Sequence, residues 1–135
     1  MTLTMWGVPR ARDRGLLRRS AEAHGRRSEL WAALLLWCKL YRVIGRRVKT
    51  RLGELDLIAL SPDGILCFIE VKAREVEGSA AESITARQRE RIERAAALYL
   101  GTHPALRHRA VRFDAILVMP RRWPRHVKDA WRPGE

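Results

Sequence analysis

The chain has 135 residues, with 27 lysines and arginines against 15 acids, a formal charge of +12, and 47% hydrophobic residues. That length fits one domain with a core of ordinary size, and the charge points to a polyanionic partner, nucleic acid before an anionic membrane. No CxxC or histidine spacing accompanies Cys38 and Cys67, and the four histidines form no ligand pair at helical spacing, which argues against a disulfide framework and against zinc.

Residues 1–24 hold Arg10, Arg12, Arg14, Arg18 and Arg19 against Asp13 and Glu22, interrupted by Gly7, Pro9 and Gly15. This predicts a mobile basic arm in front of a single domain over residues 25–135. The arm reads equally as a source of phosphate affinity without sequence choice or as a dispensable leader. From Ser20 or Ser28 to Leu40 the pattern is helical, apolar nearly all round in its middle, and so expected to be buried against a sheet. Glu29 leads a face of Ala32, Ala33, Leu36 and Leu40. The pattern favours a first-turn acid that suits the helix dipole; the alternative is an acid leaning over the sheet. The run Leu30–Cys38 is too short to span a membrane, and the N-terminus lacks an apolar signal core. A soluble, cytoplasmic protein with buried thiols is the expectation.

Tyr41–Val48 reads as a first strand, with Tyr41, Val43 and Ile44 inward. The hairpin that follows organises the chain: Leu55–Leu60 and Ile65–Val71 are joined by Ser61-Pro62-Asp63-Gly64, a turn sequence. Acids interrupt both runs. Alternation places Glu54, Asp56 and Ile58 on one side of their strand, and Phe68, Glu70, Lys72 and Arg74 on one side of theirs. Pairing of those sides on one sheet face brings three carboxylates and a lysine together. Two ionised carboxylates about 4 Å apart repel by roughly 4 kcal/mol at an effective dielectric near 20. A divalent cation removes that repulsion, and Mg²⁺ suits carboxylates, water and phosphate oxygens. The blander reading, solvated strand ends paired with Arg51 and Lys72, fits one acid better than it fits Asp56 and Glu70 together inside apolar runs.

Glu75–Ala81 with Gly78 predicts a loop, and a second helix runs from Ile84 or Thr85 to Leu100, with Gly101 as its C-terminal cap. Ile84, Ile92, Ala95, Ala96, Leu98 and Tyr99 form its apolar face; Arg87, Gln88, Arg91 and Arg94 lie on the other. Arg87 and Arg91 are placed to grip a phosphate, or simply to face water. Val111–Met119 is a further strand in which Asp114 has no assigned chemistry: a buried pair with Arg112 or a strand-end acid. In the tail, Arg121, Arg122, Trp123, Arg125, Lys128 and Trp131 interleave bases and tryptophans. The pattern suits stacking on nucleobases, but a short edge strand Val127–Ala130 anchored by Trp131 is preferred.

Asp56 followed by Glu70-Val71-Lys72 resembles the D…ExK signature of the restriction-endonuclease-like superfamily. GELDLIA, FIEVKAR, TARQ opening a helix and RFDAILV narrow the resemblance to the YraN family of endonuclease-like proteins, similar to Holliday-junction resolvases. It covers residues 25 to 131. The resemblance implies an α/β restriction-endonuclease-like core in the order αβββαβ, a mixed central sheet flanked by helices, with room for a further edge strand. It implies Asp56, Glu70 and the Val71 carbonyl as ligands of Mg²⁺ or Mn²⁺, with Glu29 assisting from the first helix. Lys72 is implied to orient or activate the attacking water. Gln88 is implied to contact that water or a phosphate, and Glu54 belongs to the family's GE-I/L-D motif without a settled role. Arg87 stands where related helices often carry lysine, which changes a point charge into a fork of donors. With Arg74 and Arg91 it completes the expected nucleic-acid contacts.

Two readings follow: a metal-dependent DNA endonuclease acting on branched or damaged structures, and a non-catalytic nucleic-acid-binding protein with a nuclease-like fold. A homodimer is expected of the first, because a two-fold junction needs two cuts.

Overall fold

The computed structural model describes residues 26–74 and 84–134; the basic arm and the loop Glu75–Ala81 lie outside the described residues. Five strands form one sheet in sequential order: β1 (Arg42–Thr50), β2 (Gly53–Leu60), β3 (Leu66–Ala73), β4 (Val111–Val118) and β5 (Arg125–Trp131). Neighbours run antiparallel except β3 and β4, which are parallel. A parallel pair needs a crossover, and helix α2 (Ala86–Gly101) supplies it. Helix α1 covers residues 26–38. The order is thus αβββαββ, the nuclease-like α/β core that the sequence led us to expect, with the edge strand present.

Two apolar layers hold the sheet. Ile58, Leu66, Phe68, Phe113 and Leu117 pack with Ile92, Ala95, Ala96 and Tyr99 of α2. Leu57, Ala59, Cys67, Ile69 and Ile116 pack with Ala32, Ala33 and Leu36 of α1. Each large side chain so buried contributes roughly 1.5–3 kcal/mol. Trp131 is buried and stacks on Phe113 at 5.4 Å, fastening β5 to the α2 layer.

Several expectations change. Helix α1 buries one stripe only: Leu30, Trp31, Leu34 and Trp37 stay exposed, and so does Cys38. Its middle is apolar beyond what one sheet face can cover. Ser28 is no cap, since residues 26 and 27 are already helical. The helix ends through Leu40 in the left-handed region (φ 66), with Leu40 N–H donating to Trp37 O and Tyr41 N–H to Leu36 O, a Schellman closure without glycine. Gly101 remains inside α2; Thr102 caps it, its N–H donating to the Leu98 carbonyl. No helix among the described residues is long and apolar enough to cross a membrane.

One irregularity shapes the site. Leu55 and Ile58 join the same core layer although residues three apart on a regular strand face opposite ways. Across from them in β1, a Cβ on Gly45 would lie 2.9 Å from Val48 Cγ2, again three positions apart, and Arg47 between them has φ 50. Both strands therefore break alternation at one level. Asp56 is separated from the line of Ile58, and the expected alignment of Glu54, Asp56 and Ile58 is corrected.

Candidate metal centre at the fork of the sheet

The ladder between β2 and β3 ends at Leu57 opposite Ile69. Beyond that pair the Asp56 side chain replaces the backbone partner: Val71 N–H donates to Asp56 Oδ2 at 2.9 Å. The carboxylate is thereby fixed in the fork between two strands. Glu70 stands beside it, and Lys72 Nζ lies 3.3 Å from Glu70 Oε1. On the other side, Glu29, Glu54 and Asp56 each offer an oxygen within 4.8 Å of the others. Helix α1 thus brings Glu29 over the sheet, the role that its pattern alone disfavoured.

Among the described residues, few cations serve these acids. Arg47 Nε lies 3.6 Å from Glu29 Oε2 and 3.5 Å from Glu54 Oε1. Glu29 Oε2 is buried and has no hydrogen-bond partner. Burial first, and then the Asp56 charge, raise the Glu29 carboxyl above its ordinary range. Burial also raises Asp56, against the Val71 N–H that favours its charged form. Glu70 is pushed up to about 8 by burial and the neighbouring Asp56, with Lys72 pulling the other way. Acids whose charged forms are disfavoured for want of positive charge are what a cation relieves. Every donor is a carboxylate oxygen, the set that suits Mg²⁺ or Mn²⁺, so the residues fit such an ion.

The remaining expected residues lie at different distances from the fork. A Cβ on Gly53 would meet Arg91 Cγ at 2.8 Å, so the bare backbone lets Arg91 of α2 lie across the strand beside Glu54. Arg87 is exposed on the first turn of α2. Gln88 closes a capping box: its Oε1 accepts from Thr85 N–H at 3.0 Å and its N–H donates to Thr85 Oγ1 at 3.2 Å. That structural use was legible as Thr-x-x-Gln. Arg74 is exposed past the end of β3, with Nη1 donating to the Ala73 carbonyl. Val71 contributes its N–H to the fork. Arg47, which bridges Glu29 and Glu54, was missed; one arginine among several in β1 carries no signal of a left-handed backbone.

Asp114 takes no part in this cluster. Arg112 grips both its oxygens at 2.8 and 2.9 Å, His126 Nε2 donates at 2.8 Å and Asp129 N–H at 2.9 Å. Of the two roles left open, it is the buried ion pair.

The mixed five-stranded sheet with its two helices is consistent with a nuclease-like core. The model of the Uncharacterised protein family UPF0102 matches residues 28–118, and the chain belongs to that family, the YraN family of the resemblance. It is 47% identical over 128 residues to a UPF0102 protein of Parvibaculum lavamentivorans, covering 93% of this chain and 96% of the relative. UPF0102 proteins of Maricaulis maris and Agrobacterium fabrum are 46% and 45% identical, over 87% and 84% of this chain and 92% and 93% of theirs.

Proposed function

We propose that the chain is a metal-dependent endonuclease hydrolysing phosphodiester bonds in DNA, with branched or damaged structures as substrates. The observation that carries this reading is the meeting of Asp56, Glu70 and Lys72 in the fork, with Lys72 Nζ 3.3 Å from Glu70. Glu29, Glu54, Asp56 and Glu70 would hold Mg²⁺ or Mn²⁺, with the Val71 carbonyl as a further oxygen. When bound, such an ion supplies a Lewis acid for the phosphate and makes a water more acidic. Lys72 orients the attacking water and offsets charge that gathers on the phosphate oxygens in the transition state. Asp56, held by Val71 N–H, keeps its orientation whichever form it takes. Arg87 and Arg91 on α2 bind phosphates flanking the cut, and the amide nitrogen of Gln88, its oxygen engaged in the cap, reaches phosphate or water. The surplus of +12 draws DNA to the site. A cytoplasmic homodimer would make paired cuts.

The test is cleavage of plasmid, single-stranded and four-way-junction DNA by purified protein in Mg²⁺ or Mn²⁺. Cleavage is expected in either metal, none in EDTA, and a drop of at least about a hundredfold for Asp56→Ala, Glu70→Ala and Lys72→Ala. Variants that cut as well as the parent would assign the activity elsewhere. Salt-sensitive binding with no cleavage in any metal would leave the non-catalytic binding protein.

A further inference from the structure

Next to the fork lies an open groove whose chemistry differs from it. Trp31 of α1 and Trp123 after β4 meet edge to face at 6.0 Å, and remain 51% and 59% exposed. Arg27, Arg74 and Arg121 line the same groove, and among the described residues no carboxylate does. Its floor is the end of β3 and β4, with Ala73, Val118 and Met119. Ser28 and Ala73, which also line the groove, are the chain neighbours of Glu29 and Lys72, so it adjoins the acidic cluster on two elements.

Two large aromatic side chains left half in water need an occupant, because burying either releases substantial apolar area. Trp131 in the same tail shows the contrast: it is spent in the core. Indole faces beside guanidinium groups match a strand that has both anionic phosphates and bare base faces. A duplex offers the phosphates but keeps its base faces stacked inside.

We propose that this groove holds an unpaired stretch of DNA strand, bases against Trp31 and Trp123 and phosphates on Arg27, Arg74 and Arg121, which makes strands next to a junction, flap or gap the substrate class of the adjoining site. The choice of DNA rests on the nuclease reading; the preference for unpaired bases rests on the groove.

Binding measured in EDTA separates the two. A labelled oligo-dT, a duplex of equal length and an abasic strand of equal length are titrated by fluorescence anisotropy, with tryptophan emission followed in parallel. Oligo-dT is expected to bind about tenfold tighter than either competitor and to quench tryptophan emission. Trp31→Ala and Trp123→Ala are each expected to weaken oligo-dT binding about tenfold and to leave duplex binding unchanged. Trp123→Phe, which keeps a ring, restores most of the affinity, and circular dichroism confirms that each variant is folded. Equal binding of the abasic strand, or equal loss on duplex and oligo-dT, overturns the proposal, as does the absence of any DNA binding. Loss of cleavage in every metal with this binding intact sinks the nuclease reading alone; cleavage with no preference for unpaired bases sinks the groove alone.

Discussion

Glu70 and Asp114 sit on adjacent strands of one sheet, both largely out of water, and their surroundings push them in opposite directions. Burial alone would raise both. At Asp114 the hydrogen bonds from His126, Arg112 and Asp129 N–H outweigh it and hold the carboxyl below its usual range. At Glu70 there is Lys72, and the nearby Asp56 adds to the burial, so the carboxyl is pushed up to about 8. A buried acid that serves the fold is supplied with donors on every lone pair; the acids of the fork are kept short of them. The same shortage reaches Glu29, whose Oε2 has no hydrogen-bond partner.

The sharpest way to break this contrast is to remove each acid in turn. Asp114→Ala strands the Arg112 guanidinium and takes the partner from His126, so a loss of about 3–5 kcal/mol is expected in urea unfolding. A loss under about 1 kcal/mol would mean the clasp is not what holds β4 to β5. Glu70→Gln, by contrast, is expected to leave the metal-free protein as stable as the parent or more so, since it relieves a charge that the fold cannot balance.

The pH dependence carries the opposite signs of the two sites. Glu70 binds its proton more tightly in the folded chain than in the unfolded one, where the value returns to 4.5. Its share of stability is whole below 4.5 and is lost as the pH rises to about 8. Asp114 works the other way: its share is present above the ordinary carboxylate range and is lost as the pH falls through its depressed value. The metal-free melting temperature should therefore fall between pH 5 and 8. Mg²⁺ or Glu70→Gln should flatten that limb, and Asp114→Asn should flatten the acid limb. A melting curve indifferent to Mg²⁺ across that range would count against the fork as a cation site.

The smallest effect comes from the rim of the clasp. Tyr41 Oη accepts from Arg112 Nη2 at 2.8 Å. Tyr41→Phe is expected to cost about 1 kcal/mol, a neutral acceptor beside a charged pair. A cost equal to that of Asp114→Ala would show that Tyr41 and not the carboxylate is the keystone.

Much of this was legible. The hairpin stood out because its apolar alternation stops at a turn sequence, and acids inside it are costly enough to be noticed. Its strands fall on Gly53–Leu60 and Leu66–Ala73. The second helix showed its start in Thr85 and Gln88. What escaped has a physical reason in each case. The left-handed backbone at Arg47, and the break in alternation that takes Asp56 toward Glu29, depend on pairing with a second strand that no local pattern describes. The exposure of Trp31, Trp37 and Cys38 depends on how wide a face the sheet offers. Asp114 was undecidable because its partners His126 and Asp129 come from another strand, and Tyr41, which accepts from its partner Arg112, from a third place in the chain. The overall αβββαββ order needed none of these details; the fork needed the first of them.

The parallel pairing of β3 with β4 also sets an expected order of assembly. Glu54, Asp56, Glu70 and Lys72 all belong to one hairpin, whose closure joins residues near in sequence and costs little loop entropy. The clasp around Asp114 gathers Lys39, Tyr41 and His126 from distant parts of the chain, and waits for α2 to carry β4 back beside β3. Folding would then gather the mutually repelling charges early and the attracting ones late. An early hairpin of that kind is held together by its apolar runs until the last strands lock it.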